Sequence, residues 1–492
     1  MSSSSIGRSL SDVAEPSTGA HTPRSILARL DRIDAWSMPF IFIGIIGTGF
    51  MFAFYDVFDI NVSFIQSCVG LEHGCTPANA VTALRVPVVL NLGGYVIGAL
   101  LLAPISDRIG RRNMLLFTML LTGVGSLYNA LAPDYANFVL ARVVTGIGVG
   151  ADLAIVNTYV GEVAPRRNRA RWISVIFVMS SLGALLGIWL GLFLTTGPAP
   201  WPHGLSFAQA SPSFTDGWRW MYAIGAVLAA VGIALRLELP ESARWLVGQG
   251  RFDEADRVVS GMEAVAAKHG ELAPVSEDVP VDESTPQSSL AFSALFANRM
   301  YARRVVQLLA VWFLAYVTVF SFSAGFTSML TSLKYPPPEA GLITAVGAFG
   351  FLACALFAVA FAERLERKFW LPIGAAITVI GGVVVAEAGT TSLGIAFVGS
   401  AIVFFGFNVW VPMTYALSTE SFPTRARVTG FGLVDGVGHL GGGIGVLVIA
   451  PQIPNMTVLE AMLVVSGFLV AAAIVAQFSV RTRGRHYEEV SP

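Results

Sequence analysis

Twelve apolar runs, each long enough to cross a membrane, constrain this chain more than any other feature. A spanning helix needs about 20 mainly apolar residues. Such runs lie near residues 39–64, 77–105, 113–132, 135–162, 172–195 and 218–238, and again near 304–331, 339–362, 370–388, 391–418, 428–450 and 457–479. Six are followed by a long hydrophilic stretch and then by six more. Only 13% of the 492 residues are charged and the mean hydropathy is +0.67, against roughly 25% charged residues in soluble domains, which places the chain in the membrane class. The reading is an all-α membrane protein with twelve transmembrane helices.

Lys and Arg in the connecting loops set the orientation. With both termini cytoplasmic, all but four of the 31 Lys and Arg residues fall on or near the inner side, the exceptions being Arg85, Arg142, Arg219 and Lys334. The expected order is a disordered cytoplasmic tail over 1–35, a six-helix bundle over 36–238, a cytoplasmic linker over 239–303, a second bundle over 304–480 and a short cytoplasmic tail over 481–492. The first 30 residues are Ser-rich and polar, with no apolar core of the kind a cleavable signal carries. A net charge of −1 gives no case for a nucleic-acid partner. Three cysteines offer no metal framework. Cys68 and Cys75 share the first outer loop and could form a disulfide on an oxidising face.

Two motifs recur at nearly one spacing. "SDRIGRR" after the second run is matched by "AERLERK" after the eighth, which aligns Asp107 and Arg111 with Glu363 and Arg367, 256 residues on. "GEVAPRRNR" after the fourth is matched by "TESFPTRAR" after the tenth, aligning Glu162 and Arg169 with Glu420 and Arg427, 258 residues on. The two six-helix halves are therefore duplicates, and in such proteins the binding site lies between the halves near the midplane.

The layout and the "DRIGRR" loop resemble the major facilitator superfamily, over almost the whole chain. Ala103 stands where that loop pattern usually has its first glycine. "PESARWLVGQGRFDEA", residues 240–255, is similar to the segment that closes the sixth helix in the sugar-porter and organic-ion branch. The resemblance implies a secondary transporter, moving a small molecule by alternating access, with a gate formed by the loop motifs. Asp107, Arg111, Glu162, Arg169, Glu241, Arg244, Glu363, Arg367, Glu420 and Arg427 are the candidates for that gate. Charge-assisted pairs among them could tie helices together in one state and release them in another; the bland alternative is a solvated cluster serving topology alone.

Substrate class turns on the intramembrane polar residues. The fifth run, "WISVIFVMSSLGALLGIWLGLFL", has no glutamine, and the seventh lacks the paired polar residues that sugar porters use to meet hydroxyl groups. "YDVFDIN" resembles the first helix of proton symporters for phosphate, carboxylates, aromatic acids and nicotinate, placing Asp56 at the matching acid; "GIGVGADLAIVNTYVGE" places Asp152 at a second. His439 stands where those carriers have Lys or Arg, a departure that weakens phosphate. Ionisable groups at bilayer depth are costly and need a partner, water or a function. Asp56 and Asp152 are the proton-coupling candidates. Arg142, Trp312, Tyr316, Asn408, Trp410, Tyr415 and His439 are the substrate-binding candidates, with Asp435 one turn from His439 on the same face. Asp59 and Arg85, at similar depth in neighbouring antiparallel helices, form the expected structural pair. The glycine runs 146–150 and 441–445 read as helix packing.

The expectation is a proton-coupled importer of a small organic anion, a carboxylate or aromatic acid, working as a monomer in the cell membrane without cofactor or metal. A sugar or polyol symporter, a phosphate symporter and an exporter are the alternatives within transport, and a transporter-like sensor lies outside it. No nucleophile–base arrangement suggests an enzyme.

Overall fold

The computed structural model describes residues 22–491 apart from 35–36, 39, 77–79, 166–167, 269, 276–290, 333–334, 336, 389–391 and 450. Its described residues form eleven helices long and apolar enough to cross a membrane, plus one broken pair that makes the twelfth span. In the first half the spans are Phe40–Phe58 with Ile60–Leu71, then Ala80–Ile109, Arg111–Leu131, Tyr135–Val163, Arg169–Thr195 and Gly217–Arg236. The second half has Arg299–Ser323, Pro337–Phe361, Trp370–Ala388, the continuous pair Leu393–Val409 and Val411–Glu420, an eleventh span over Thr424–Ile449, and Val458–Ala476.

The apolar runs predict unbroken helices, and the first span differs. It turns by 48° at Asp59. The eleventh also departs from plain α-helix, with π-helical turns at Gly432–Gly436 and Gly445–Ile449. Such turns widen the backbone and recur at functional sites.

Small residues set how closely spans approach. A methyl group on Gly150 would collide with the Tyr95 carbonyl, and one on Gly146 with the Asn91 carbonyl, so the second and fourth spans touch backbone to backbone. Gly441 does the same against Phe313. Without a hydrophobic driving force between helices in lipid, this contact is what associates them. Ala103, the departure noted in the loop motif, faces Gly432 of the eleventh span, where a second side chain would clash. The halves meet along the second and eleventh spans and along the fifth and eighth.

Both ends of the described chain lie on one face, called here the terminal face; His486 sits 3.2 Å from Asp31 there. Cys68 and Cys75, on the opposite face, are joined by a disulfide. The tail expected to be disordered contains a helix, Pro23–Asp31, capped by Thr22 and started by Pro23. Its Arg29 pairs with Asp256 and Glu263 on the linker helix Phe252–Ala266, and Asp31 pairs with Arg244. Ile26, Leu27 and Leu30 give it an apolar stripe to bury. Residues 1–21 and linker residues 276–290 lie outside the described residues.

Candidate functional site

The repeated motifs assemble into two equivalent clusters on the terminal face. Glu162, at the end of the fourth span, lies 3.1 Å from Arg111 of its own half and 3.3 Å from Arg427 of the other. Glu420, its duplicate, lies 3.5 Å from Arg367 of its own half and 3.9 Å from Arg169 of the other. Asp107 accepts from the backbone N–H and hydroxyl of Thr429 across the interface, and Glu363 accepts from the N–H groups of Ala170 and Arg171. Asp107 also lies 3.2 Å from Arg111, and Glu363 2.7 Å from Arg367. The halves are thus joined on this face by carboxylates reading the other half's helix starts. Glu241 caps the third span by accepting from Arg111 N–H and Arg112 N–H, and burial holds its carboxyl above the ordinary range despite those donors. Arg244, grouped with these acids by sequence, turns outward to Asp31.

The clusters are alike in connectivity and unlike in tightness. Glu162 accepts hydrogen bonds from Arg111, Arg427 and Ser242, the last at 2.6 Å. Neither carboxylate oxygen of Glu420 has a hydrogen-bond partner among the described residues.

Deeper in the first half, Asp56 and Asp59 share one guanidinium. Arg142 reaches 3.4 Å to Asp56 and 3.5 Å to Asp59, and also donates to the Asp56 carbonyl at 3.0 Å. Asp56 takes a further hydrogen bond from Ser126 at 2.8 Å, whereas neither Asp59 carboxylate oxygen has one among the described residues. Asp59 therefore pairs with Arg142 and not with Arg85. The helix break at Asp59 swings its carboxylate toward the fourth span, a bend that equal-depth reasoning for straight helices does not contain.

Asp152 has a cation of its own. Arg236 holds it through two contacts, at 2.5 and 3.0 Å, and Thr118 adds a hydrogen bond at 2.8 Å. The sequence counted Arg236 among the positive-inside residues because it ends the sixth span. In the structure its side chain is fully buried and reaches inward, also donating to the Leu115 carbonyl. The proton-coupling candidate Asp152, chosen for its distance from Arg142 on its own span, thus has Arg236 beside it.

Between the halves, the second half builds an aromatic cluster. Trp312 stacks on Tyr316 and Tyr415, with ring centroids 5.0 and 5.2 Å away, and packs on Trp410 at 5.5 Å. His439 lies against Tyr316 at 3.9 Å and against Tyr95 of the second span at 3.7 Å. Five of the seven substrate-binding candidates are thus brought together. Arg142 is occupied elsewhere, and the Asn408 amide donates to the Phe404 carbonyl of its own helix. At the centre is Asp435, fully buried, accepting hydrogen bonds from Tyr316 at 2.5 Å and Tyr95 at 2.7 Å. Tyr95 is the contribution that sequence reasoning missed, since a lone tyrosine in an apolar helix carries no signal of its partner 340 residues away.

The halves also touch at the disulfide face, where Asn61 donates to the Ser323 carbonyl and His203 lies 2.6 Å from Glu339.

Comparisons with known proteins agree with this geometry. Residues 38–492 match the family model described as "Sugar (and other) transporter". The D-xylose transporter of Levilactobacillus brevis is 29% identical over 353 residues, covering 68% of this chain and 71% of that protein. The niacin transporter NiaP of Acinetobacter baylyi is 25% identical over 480 residues, covering 94% and 99%. Among solved structures, the proton:xylose symporter XylE bound to 6-bromo-6-deoxy-D-glucose superposes with a TM-score of 0.72 at 21% identity, covering 92% of this chain and 98% of that one.

Proposed function

The chain belongs to the sugar (and other) transporter family within the major facilitator superfamily, and from that premise we propose that it is a proton-coupled importer of a small, planar, ring-bearing organic acid. Its termini lie in the cytoplasm on this reading, and the two carboxylate clusters of the terminal face form the inner gate, closed here.

The observation that carries the reading is the pair of carboxylates sharing Arg142. Two like charges beside one guanidinium cannot both stay ionised in a buried site without large cost, so one of them is a natural proton carrier. Between the two faces, the buried carboxylates Asp56, Asp59, Asp152 and Asp435 outnumber the guanidiniums Arg142 and Arg236. An acid entering as its anion adds to that excess. Entry then becomes favourable only as protons are taken up, and this linkage is what a symporter needs. Asp152, locked by Arg236, is assigned to structure; Asp56 with Asp59 takes the coupling role.

Substrate class rests on the aromatic cluster and on what is already engaged around it. Trp312, Tyr316, Tyr415 and His439 offer stacking faces. Ser180, Ser181 and Asn408 spend their hydrogen bonds on carbonyls of their own helices, leaving few groups for a polyol. A niacin-transporting relative supports the choice. The D-xylose relative keeps a sugar symporter as the second reading.

Thermal-shift screening of the purified protein against niacin, 4-hydroxybenzoate and D-xylose, followed by counterflow in proteoliposomes, tests this directly. Stabilisation and counterflow with the ring acids are expected. Stabilisation by D-xylose alone would move the assignment to the second reading.

A further inference from the structure

We propose that Asp435 is a second proton-binding site, one that ties the two halves together through Tyr95 when ionised and loosens that tie when protonated. The proposal rests on the proton-coupled reading above, and adds a site in the other half of the molecule.

Among the described residues, Asp435 differs from the other buried carboxylates between the two faces in having no guanidinium beside it; Asp56, Asp59 and Asp152 each have one. What faces it instead can be given element by element. The second span presents Tyr95, with Asp152 of the fourth span the next charged group beyond that phenol. The seventh span presents Tyr316 and the tenth Tyr415. On its own span His439 stacks on Tyr95 and lies tilted against Tyr316, and its Nδ1 donates to the Asp435 carbonyl at 2.8 Å, with 3.9 Å to the carboxylate. A histidine that gives its Nδ1 proton to a backbone carbonyl is not arranged as a counter-ion. Among the described residues the carboxylate accepts hydrogen bonds from two hydroxyl groups, with the His439 ring 3.9 Å away, and it sits in a π-helical turn.

The geometry defines what a proton does there. In the ionised state Oδ1 accepts from Tyr316 and Oδ2 accepts from Tyr95. A proton delivered by a hydronium ion forms one O–H bond on Oδ2 as one O–H bond of the hydronium breaks, leaving water and a neutral carboxyl. The Oδ2–H can then donate to the Tyr95 oxygen, so a neutral hydrogen bond replaces a charge-assisted one of roughly twice its strength. The Tyr95 hydroxyl makes no other hydrogen bond among the described residues, so its own proton is left turned into a buried, unpartnered position. Tyr316 belongs to the same half as Asp435, whereas Tyr95 belongs to the opposite half. The contact that protonation weakens is the one between halves. Gly432 and Gly436 pack on Ala103 and Ala99 of the second span, so the Tyr95 bond lies beside a close contact between the halves.

Infrared difference spectroscopy during pH titration of the substrate-free protein in lipid tests the site without knowledge of the substrate. A protonated-carboxyl band should appear on acidification, be absent from Asp435→Asn, and persist in Asp59→Asn at its own position. In Tyr95→Phe the same band should titrate about one pH unit higher, a tenfold gain in proton affinity, because a donor to the ionised form is gone. Retention of every pH-dependent carboxyl band in Asp435→Asn overturns the proposal. If Asp435→Asn does not fold, Tyr95→Phe decides alone: a titration unmoved from wild type overturns it. Failure of the wild type to accumulate niacin or 4-hydroxybenzoate under a pH gradient would sink the proton-coupled reading and leave this infrared result standing separately.

Discussion

The two halves descend from one six-helix unit, yet they handle buried charge in opposite ways. In the first half every deep carboxylate lies against a guanidinium, and the terminal-face Glu162 is gripped by three donors. In the second half the deep carboxylate has two phenols in place of a guanidinium, and the terminal-face Glu420 has only ion pairs of 3.5 and 3.9 Å. A guanidinium that serves one carboxylate balances its charge, whereas a shared guanidinium or hydroxyl donors leave charge for a proton to balance. The first half reads as the stiffer frame, its surplus limited to the one carboxylate beyond Arg142. The second half reads as the part whose charge and contacts alternate.

The largest effects should come from breaking the stiff side. Asp152→Leu or Arg236→Leu alone leaves a buried charge unpaired, which costs about 3–5 kcal/mol, while the double substitution is expected to recover most of the loss. Thermal unfolding of the three variants checks this; equal damage from all three would show that Asp152 and Arg236 act separately. Next comes the shared guanidinium. Asp56→Asn removes a carboxylate with partners at Ser126 and Arg142 and should lower stability by about 1.5–3 kcal/mol. Asp59→Asn removes the surplus charge and should leave stability unchanged or raised. The reverse order would mean that Asp59 is the ion-pair partner and Asp56 the excess.

The duplicated gate gives a smaller contrast. Glu162→Gln should shift the population away from the state closed at the terminal face more than Glu420→Gln does, since it loses charge-assisted bonds from both halves. Accessibility of introduced thiols on that face to impermeant reagents reads the difference. Equal shifts would erase the asymmetry.

The smallest effect concerns the strap formed by the Pro23–Asp31 helix. Burial raises the Asp31 carboxyl, but the Arg244 guanidinium and His486 outweigh it and hold it well below its ordinary range. Its stabilisation is therefore present above the unfolded value of about 4 and is lost as pH falls below it. Hydrogen-exchange protection in that helix, taken relative to the intrinsic rate at each pH, should fall on acidification, and Asp31→Asn should reproduce the fall at neutral pH. Arg29, still bound to Asp256 and Glu263, keeps the effect local.

Much of the architecture was legible because it is written in runs and repeats: the spans, the duplicated motifs, and the aromatic residues that gather around His439. The strap helix was missed: a Ser-rich neighbourhood read as a disordered tail, although Thr22, Pro23 and the stripe Ile26, Leu27 and Leu30 carry a helix signal. What escaped depends on side-chain direction. Arg236 sits at a helix end, where sequence reads it as solvated; only Asp152, 84 residues earlier, draws it inward. The bend at Asp59 exchanges Arg85 for Arg142, and no local residue announces it. Tyr95 meets Asp435 only because the second and eleventh spans pack side by side.

On the proposed function, protons that travel with the substrate neutralise the surplus carboxylates. Lightly buffered proteoliposomes, given whichever ring acid stabilises the purified protein, measure it through external pH. The account predicts alkalinisation in step with uptake for the wild type. It predicts that Asp435→Asn and Asp59→Asn keep counterflow while moving fewer protons per substrate. An unchanged proton count in both variants would contradict it.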